Sequence, residues 1–249
     1  MSDKDKDKAK GNNKRSEERS ARVDWPLVET VLGCELLGRI YLYGPPGVGK
    51  TFVAYLSGRT QRGVYACVLT QETPAAELRG TYLPKGDALV WHDGPVIRAM
   101  KDGARLVLNE LSHASDDALA FLHPVLETPE TARLTLPTGE TITPAPGFHV
   151  VVTDNLPPDG LPPALQDRFD ALLEVNEPHP SALARLSAPL REAARRSFSL
   201  GEDRRVSVRS WLTLDRVRHV LGLADACTVV FGAERGSQIF DALSLSGVR

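Results

Sequence analysis

Residues 39–51 read RIYLYGPPGVGKT, and this stretch decides the fold. A short strand-like run leads directly into the pattern G-x-x-x-x-G-K-T, and a helical pattern follows the threonine. Glycines let backbone N–H groups turn toward phosphate oxygens, and the N-terminus of the next helix adds the positive end of its dipole. The sequence therefore predicts a phosphate-binding loop between a strand and a helix.

The side chains of this loop point to a nucleotide with its metal ion. Lys50 is expected to reach the β- and γ-phosphates of ATP, and the Thr51 hydroxyl to ligate Mg²⁺. The alternative is a Gly-rich turn with an unrelated lysine, which the strand–helix context disfavours. The loop residues predicted to bind the cofactor are Gly44, Pro45, Pro46, Gly47, Val48, Gly49, Lys50 and Thr51.

Strand-like and helix-like segments alternate downstream of the loop. Apolar or β-branched runs occur at residues 64–69, 106–108, 150–153 and 171–175, and helical patterns at 94–101, 115–126 and 162–168. Such alternation predicts an α/β fold, a P-loop core with a mainly parallel sheet covered on both faces. Alternating apolar and polar residues around Pro137 and Gly139 predict a β-hairpin over 131–143.

The remaining segments set the predicted domain boundaries. Residues 1–22 hold many charged and almost no apolar side chains, which predicts a disordered charged tail. Residues 23–176 form the predicted α/β nucleotide-binding core. Residues 177–249 read as a helical subdomain, with core-facing periodicity at 183–194, 211–221, 225–231 and 237–245.

Composition excludes several classes of protein. The formal net charge of −2 gives no basic footprint, so nucleic acid is not expected as a partner. Three widely separated cysteines, Cys34, Cys67 and Cys227, fit neither a disulfide framework nor a metal-ligand spacing. No apolar run reaches membrane-spanning length. The expectation is a cytoplasmic protein without a membrane span.

Residues 105–110, RLVLNE, form a second nucleotide motif, an apolar strand that ends in two polar residues. In P-loop ATPases the first of the two is normally an aspartate that helps to hold Mg²⁺. Asn109 at this position can hydrogen-bond a metal-bound water but adds no negative charge, so weaker metal binding is expected. Glu110 occupies the position that polarises the attacking water. An ordinary strand end is the alternative.

With both motifs in place, the chain resembles AAA+ ATPases, and more narrowly their MoxR-type branch in the dynein-related family. The resemblance runs from about residue 25 to the C-terminus and rests on seven stretches in the family's order. They are GPPGVGKT (44–51), QETPAAELRGTYLP (71–84), WHDGPVIRAMKDGARLVLNEL (91–111), the 131–143 hairpin, VVTDN (151–155), LPPALQDRF (161–169) and VSVRSW (206–211).

The resemblance implies roles for three more residues. Asn155 resembles the sensor-1 residue that positions water against the γ-phosphate, although it could instead cap a turn before Leu156. Arg168 resembles the arginine finger that reaches a neighbouring subunit's ATP; the alternative is an ion pair with Asp167 or Asp170. Arg209 resembles the sensor-2 arginine on a helical lid, and a surface arginine is its alternative.

The resemblance also implies a mode of action. Members of this branch hydrolyse ATP in a ring, for which a hexamer is expected here, and often activate a protein together with a separate von Willebrand factor A domain adaptor. Tyr82 and Leu78 resemble residues of a pore-facing loop, and a core contact is the alternative for Leu78. A nucleotide-gated binding module with slow hydrolysis is the second function, kept open by Asn109, and a DNA-directed motor is the third.

Overall fold

A computed structural model describes residues 20–198 and 205–247 of the chain. Its centre is a six-stranded sheet in which every neighbouring pair of strands is parallel. The strands, in spatial order, are β1 (Ser20–Arg22), β10 (Ala171–Glu174), β2 (Arg39–Tyr43), β9 (His149–Asp154), β6 (Arg105–Asn109) and β3 (Val64–Val68). Every residue of β6 and β9 is buried, as expected for strands covered on both faces.

Helices connect these strands. Within residues 20–175 they are α1 (Trp25–Gly33), α2 (Lys50–Leu56), α3 (Ala75–Arg79), α4 (Pro95–Asp102), α5 (Asp116–Val125) and α6 (Pro163–Gln166). Short 3₁₀ turns lie at Leu111–His113 and Pro158–Gly160. Helix α1 begins where Asp24 accepts from the Leu27 N–H over 3.0 Å, and α5 where Ser115 accepts from the Ala118 N–H over 3.2 Å. The predicted α/β fold with a mainly parallel sheet is confirmed.

Two β-hairpins project from this sheet and its helices. The predicted hairpin is present as β7 (Leu134–Thr135) and β8 (Thr141–Ile142). A second hairpin, β4 (Gly80–Lys85) with β5 (Ala88–Asp93), was not predicted from the sequence. Its cross-strand aromatic pair, Tyr82 and Trp91, packs edge to face with ring centroids 5.1 Å apart.

The chain divides into two compact units, of which the second joins Pro45–Gly49 to residues 176–249. Its described helices are α7 (Pro180–Ala184), α8 (Ala188–Phe198), α9 (Val208–Leu221), α10 (Leu223–Phe231) and α11 (Ala233–Leu245). Trp211 anchors their core: it is 3% exposed, and its indole N–H donates to Ser197 Oγ over 3.1 Å. None of the helices in the described part of the chain is long and apolar enough to cross a membrane.

The structure differs from the predicted disordered tail at residues 20–22. Residues 1–19 lie outside the described residues, but Ser20–Arg22 form strand β1 beside β10. That part of the tail prediction is wrong because a parallel edge strand is held by backbone hydrogen bonds, which a polar sequence does not reveal. The first unit ends at Val175, one residue before the predicted boundary at 176.

Candidate nucleotide site

The carboxyl ends of three neighbouring strands meet at one edge of the sheet. Asn109 at the end of β6 is in register with Thr153 of β9, and Asp154 is in register with Tyr43 of β2. The next residue of each strand is therefore Glu110, Asn155 or Gly44, and all three belong to the first unit. In parallel α/β sheets this edge is where ligands bind.

One amide side chain connects the loop lysine to the acidic residue. Lys50 Nζ donates to Asn155 Oδ1 over 3.1 Å and to the Gly44 carbonyl over 2.8 Å. The Asn155 Nδ2 group donates to both carboxylate oxygens of Glu110, over 3.1 and 3.3 Å. Asn155 uses its acceptor on a cation and its donor on an anion, so its orientation is fixed by charge. The structure thus brings together three residues that the sequence placed in one site.

Glu110 has a strained backbone. Its φ of 60° is the only positive φ of a residue other than glycine in the described part of the chain. The residue follows β6 directly, and its N–H donates to the Thr153 carbonyl over 2.8 Å. Such conformations are uncommon for residues with a Cβ and concentrate at functional sites. The strain turns the chain sharply, and the carboxylate remains about one-third exposed.

Lys50 is buried, with 6% of its surface exposed. Burial lowers the pKa of its ammonium to about 8, although the carboxylates of Glu110 and Asp154 oppose that shift. Burial of an ammonium removes part of its hydration, so the site favours an anionic ligand beside Lys50. Thr51, the next residue, exposes its side chain.

Asn109 lies inside the sheet. Its Nδ2 donates to the Cys67 carbonyl over 3.1 Å, and its Oδ1 accepts from Thr153 Oγ1 over 2.7 Å. Thr153 Oγ1 lies 3.4 Å from Thr51 Oγ1. Because Thr153 gives its proton to Asn109, the weak contact with Thr51 must have Thr51 as donor. That arrangement leaves lone pairs of the Thr51 oxygen available to a cation.

Asp154, rather than Asn155, holds the turn after β9. Its carboxylate is fully buried and accepts from the Ser112 N–H over 2.7 Å and the Ser112 hydroxyl over 2.8 Å. It also accepts from the Leu156 N–H over 3.1 Å. The alternative, in which Asn155 only caps the turn before Leu156, therefore does not hold, because the Asp154 carboxylate accepts the Leu156 N–H of that turn.

The middle of the phosphate loop packs within the second unit. Gly47 has φ +76°, and a Cβ on it would come within 2.7 Å of the Ser207 Cβ. The His179 N–H donates to the Val48 carbonyl over 2.7 Å. Neither His179 nor Ser207 was singled out from the sequence, because nothing in their local pattern indicates a loop contact. Gly47 has no room for a side chain.

The two predicted arginines have different surroundings. Arg168 donates from Nε to Glu127 Oε1 over 3.0 Å, and its other nitrogens reach Glu127 and the Ala164 carbonyl. The sequence alternatives were Asp167 and Asp170, but Asp170 pairs with Arg39 over 2.6 Å. Arg209, in helix α9 of the second unit, is exposed.

The two residues that the resemblance placed in a pore-facing loop differ in burial. Leu78 is 1% exposed and belongs to the hydrophobic core, so its alternative role as a core contact is correct. Tyr82 lies on hairpin β4–β5 and is 44% exposed, with Leu83 also 44% and Leu89 69% exposed. This hairpin, which displays apolar side chains, stands where the resemblance implied a pore-facing loop.

The amino-acid sequence is similar to those of known proteins. A sequence profile of the AAA domain, dynein-related subfamily, matches residues 39–169. NorQ of Paracoccus denitrificans is 39% identical over 150 residues, which cover 57% of this chain and 54% of NorQ. The denitrification regulatory protein NirQ of Pseudomonas aeruginosa is 35% identical over 138 residues, 53% of each chain. CbbQ of Hydrogenophilus thermoluteolus is 30% identical over 118 residues, 46% of this chain and 43% of CbbQ. The chain matches about half the length of these curated relatives.

Proposed function

The chain belongs to the dynein-related subfamily of AAA domains, and from that premise we propose that it binds ATP with Mg²⁺ and hydrolyses the γ-phosphate. The observation that carries the proposal is the Asn155 amide between Lys50 and Glu110. In this proposal Lys50 is the cation for the phosphates and Glu110 is the base for water, and the two side chains contact opposite ends of the Asn155 amide. The resemblance to AAA+ ATPases predicted from the sequence is confirmed by the family match.

The residues present fit ATP and its metal ion. The buried ammonium of Lys50 offers a positive charge to phosphate oxygens. The remaining loop positions, Gly44, Pro45, Pro46, Val48 and Gly49, supply backbone. Thr51 would hold Mg²⁺, which when bound neutralises charge that develops on the phosphates. Asn109 would act on that oxygen through Thr153 and not by direct contact.

Glu110 is the base in this proposal, and Asn155 orients it. A general base must be held within hydrogen-bond reach of the water that it deprotonates. The two contacts from Asn155 Nδ2 fix the Glu110 carboxylate on the side of the sheet where the loop lysine lies. Once ATP is bound, the Lys50 ammonium has a triphosphate partner and Asn155 Oδ1 can accept from water.

The side chain of Asn109 supports a second candidate function. A nucleotide-gated binding module with slow or absent hydrolysis would need the same loop and the same Lys50. The observation in its favour is that the Asn109 side chain is committed to Cys67 and Thr153, so the site lacks the usual acidic metal partner. Retention of Glu110 and Asn155 in hydrogen-bonded geometry favours hydrolysis over that alternative.

The proposed active unit is a ring, in which Arg168 serves a neighbouring subunit. Its present partner is Glu127, and both side chains are partly exposed, at 24% and 35%. Ion pairs at this level of exposure contribute little, so Arg168 can exchange Glu127 for phosphate oxygens at small cost. Arg209 on α9 would contact the nucleotide of its own subunit. A hexamer follows from the family resemblance.

The proposed work of the ring is to remodel or activate a protein partner. NirQ is described as a denitrification regulatory protein, which supports a regulatory target. Exposed Tyr82 on hairpin β4–β5 would contact the polypeptide, and a separate von Willebrand factor A domain protein would supply the adaptor. Nucleic acid is not the proposed partner, since the net charge is −2. The proposed compartment is the cytoplasm, consistent with three free cysteines.

Mixing two inactive variants tests hydrolysis and the ring together. Arg168→Ala keeps Glu110, and Glu110→Gln keeps Arg168, so each alone should lose nearly all phosphate release. In a random 1:1 ring, about a quarter of the interfaces bring both intact groups to one ATP. The mixture should therefore regain activity, while Arg133→Ala, an exposed arginine, should behave as wild type.

Absence of recovery in the mixture, with light scattering showing a monomer in saturating ATP, would contradict the ring. Full activity of Arg168→Ala alone would contradict its role as a finger. Unchanged calorimetric affinity for ATP in Lys50→Ala would contradict the nucleotide site itself.

A further inference from the structure

A cavity of about 430 Å³ lies at the edge of the sheet opposite to the nucleotide site. Arg105 and His149, the first residues of β6 and β9, form part of its wall. At about 3.3 Å per residue, β6 separates Arg105 from Asn109 by about 13 Å. All of the lining residues belong to the first unit. The cavity has the size of a small-molecule site and takes no part in the proposed hydrolysis.

Positive charge dominates the wall of this cavity. Arg59, Arg62 and Arg105 line it, and Glu35 is the one carboxylate among its lining residues. Burial and the neighbouring arginines lower the pKa of His149 to about 4, so its ring is neutral at pH 7. Three positive charges and one negative charge leave a net charge of +2. Like charges held together in this way favour binding of an anion.

Arg105 is buried and held by several hydrogen bonds. Its side chain is fully buried, and its guanidinium donates to the carbonyls of Ala54 (2.7 Å) and Ser57 (2.6 Å). Its Nε donates to His149 Nε2 over 2.8 Å, and His149 Nδ1 lies 2.8 Å from the Gly147 carbonyl. A neutral histidine with its proton on Nδ1 satisfies both contacts. The charge of Arg105 is thus fixed in place, and none of its hydrogen-bond partners in the described part of the chain is a carboxylate.

Arg59 and Arg62 provide donors beside that fixed charge. Arg59 donates from one terminal nitrogen to the Leu37 carbonyl over 2.8 Å, but its buried Nε finds no acceptor among the described residues. Arg62 is exposed and runs along the backbone of Gly147, where a Cβ would meet Arg62 Cδ and Nε at 3.4 Å. The guanidinium groups of Arg59 and Arg62 thus stand beside the buried Arg105 in the cavity wall, where an oxyanion would be attracted to all three charges.

We infer that this cavity binds a small phosphate-bearing molecule through Arg59 and Arg62, in the field of the buried Arg105. A phosphate monoester carries a charge near −2 at pH 7, which matches the net charge of the wall. The arginine fork matches phosphate oxygens in geometry as well as in charge. The site is separate from the nucleotide loop, so this inference does not depend on the proposed hydrolysis.

The test is calorimetric titration with inorganic phosphate in a Lys50→Ala background, where the loop lacks its lysine. Arg62→Ala should weaken phosphate binding by about tenfold or more. Glu35→Gln, which removes the cavity's carboxylate, should tighten it by about threefold. Arg133→Ala, on the surface outside the cavity, should leave it unchanged. Acetate at equal ionic strength serves as the monoanion control and should bind more weakly than phosphate.

The same series in the wild-type chain saturated with ADP guards against a misfolded Lys50→Ala. The inference is overturned if phosphate fails to bind in both series, or if Arg62→Ala binds as its parent does. It is also overturned if Arg133→Ala weakens phosphate as much as Arg62→Ala, since binding would then reflect net charge alone. Tighter binding after Glu35→Gln and weaker binding after Arg62→Ala together support the cavity as the site.

Discussion

The Asn155 amide donates to both carboxylate oxygens of Glu110, over 3.1 and 3.3 Å, while its oxygen accepts from the loop lysine. This contact joins the ends of β9 and β6, which are neighbours in the sheet. It brings the Lys50 ammonium and the Glu110 carboxylate to one place through a single amide side chain. Four expected outcomes follow from the site around it.

Asn155→Ala should lower kcat by about 10²-fold, because Glu110 loses the donor that orients it. ATP affinity should change little, since Lys50 keeps its contact with the Gly44 carbonyl. Steady-state phosphate release and calorimetric ATP titration measure the two effects separately. Gln238→Ala removes an exposed amide on α11 and should change neither. Equal losses in affinity and kcat would instead indicate that Asn155 acts on the loop as a whole.

Asn109→Asp should destabilise the protein and should not lower its requirement for Mg²⁺. A carboxylate at this position would face the Cys67 carbonyl, which now accepts from the Asn109 amide over 3.1 Å. Loss of a buried hydrogen bond with repulsion costs about 1–3 kcal/mol, or a drop of about 5 °C in Tm. Thermal unfolding and phosphate release across a Mg²⁺ titration give both readouts.

This expectation reverses the one from sequence alone, in which an aspartate at 109 would restore a metal partner. If Asn109→Asp keeps its Tm and reaches half-maximal turnover at lower Mg²⁺, the sequence interpretation is right. The buried contacts of Asn109 would then not determine its role.

ATP affinity should fall as pH rises above 8. Burial holds the pKa of Lys50 near 8 in the free protein, so its ammonium is present at pH 7 and mostly absent at pH 9. Binding of a triphosphate favours the charged form and raises that pKa, so above pH 8 binding takes up a proton. Between pH 7 and pH 9 the Kd should rise about tenfold.

Calorimetry in buffers of different ionisation enthalpy counts the protons taken up. Uptake should be near zero at pH 7 and approach one at pH 9. Lys50→Arg keeps its charge throughout this range and should bind ATP with an affinity that does not change with pH. An unchanged wild-type Kd between pH 7 and pH 9 would place the Lys50 pKa well above 8.

The sequence predicted the sheet and grouped Lys50, Glu110 and Asn155 in one site, because each belongs to a local motif, and the structure brings these three residues together. The partners of buried polar groups could not be predicted in this way. Asn109 contacts Cys67 across the sheet, 42 positions away, and Arg168 contacts Glu127, 41 positions away. Hairpin β4–β5 was missed because its register depends on pairing between strands and its apolar side chains face outward.

The same limit applies to the arginine cavity. Arg59, Arg62 and Arg105 are spread over 47 positions, and each alone looks like an ordinary charged residue. These arginines come to one edge of the sheet only because β3, β6 and β9 pair in parallel.

Phosphate release by Glu110→Gln tests the central claim of ATP hydrolysis most directly. The substitution keeps the size of the side chain and removes its capacity to accept a proton. The account predicts that wild type releases phosphate at saturating Mg²⁺, whereas Glu110→Gln releases none while binding ATP with similar affinity. Glu72→Gln, an exposed site, should retain wild-type turnover. If wild type, assembled and with its partner, releases no more phosphate than Glu110→Gln, the protein is a nucleotide-gated binding module and not an ATPase.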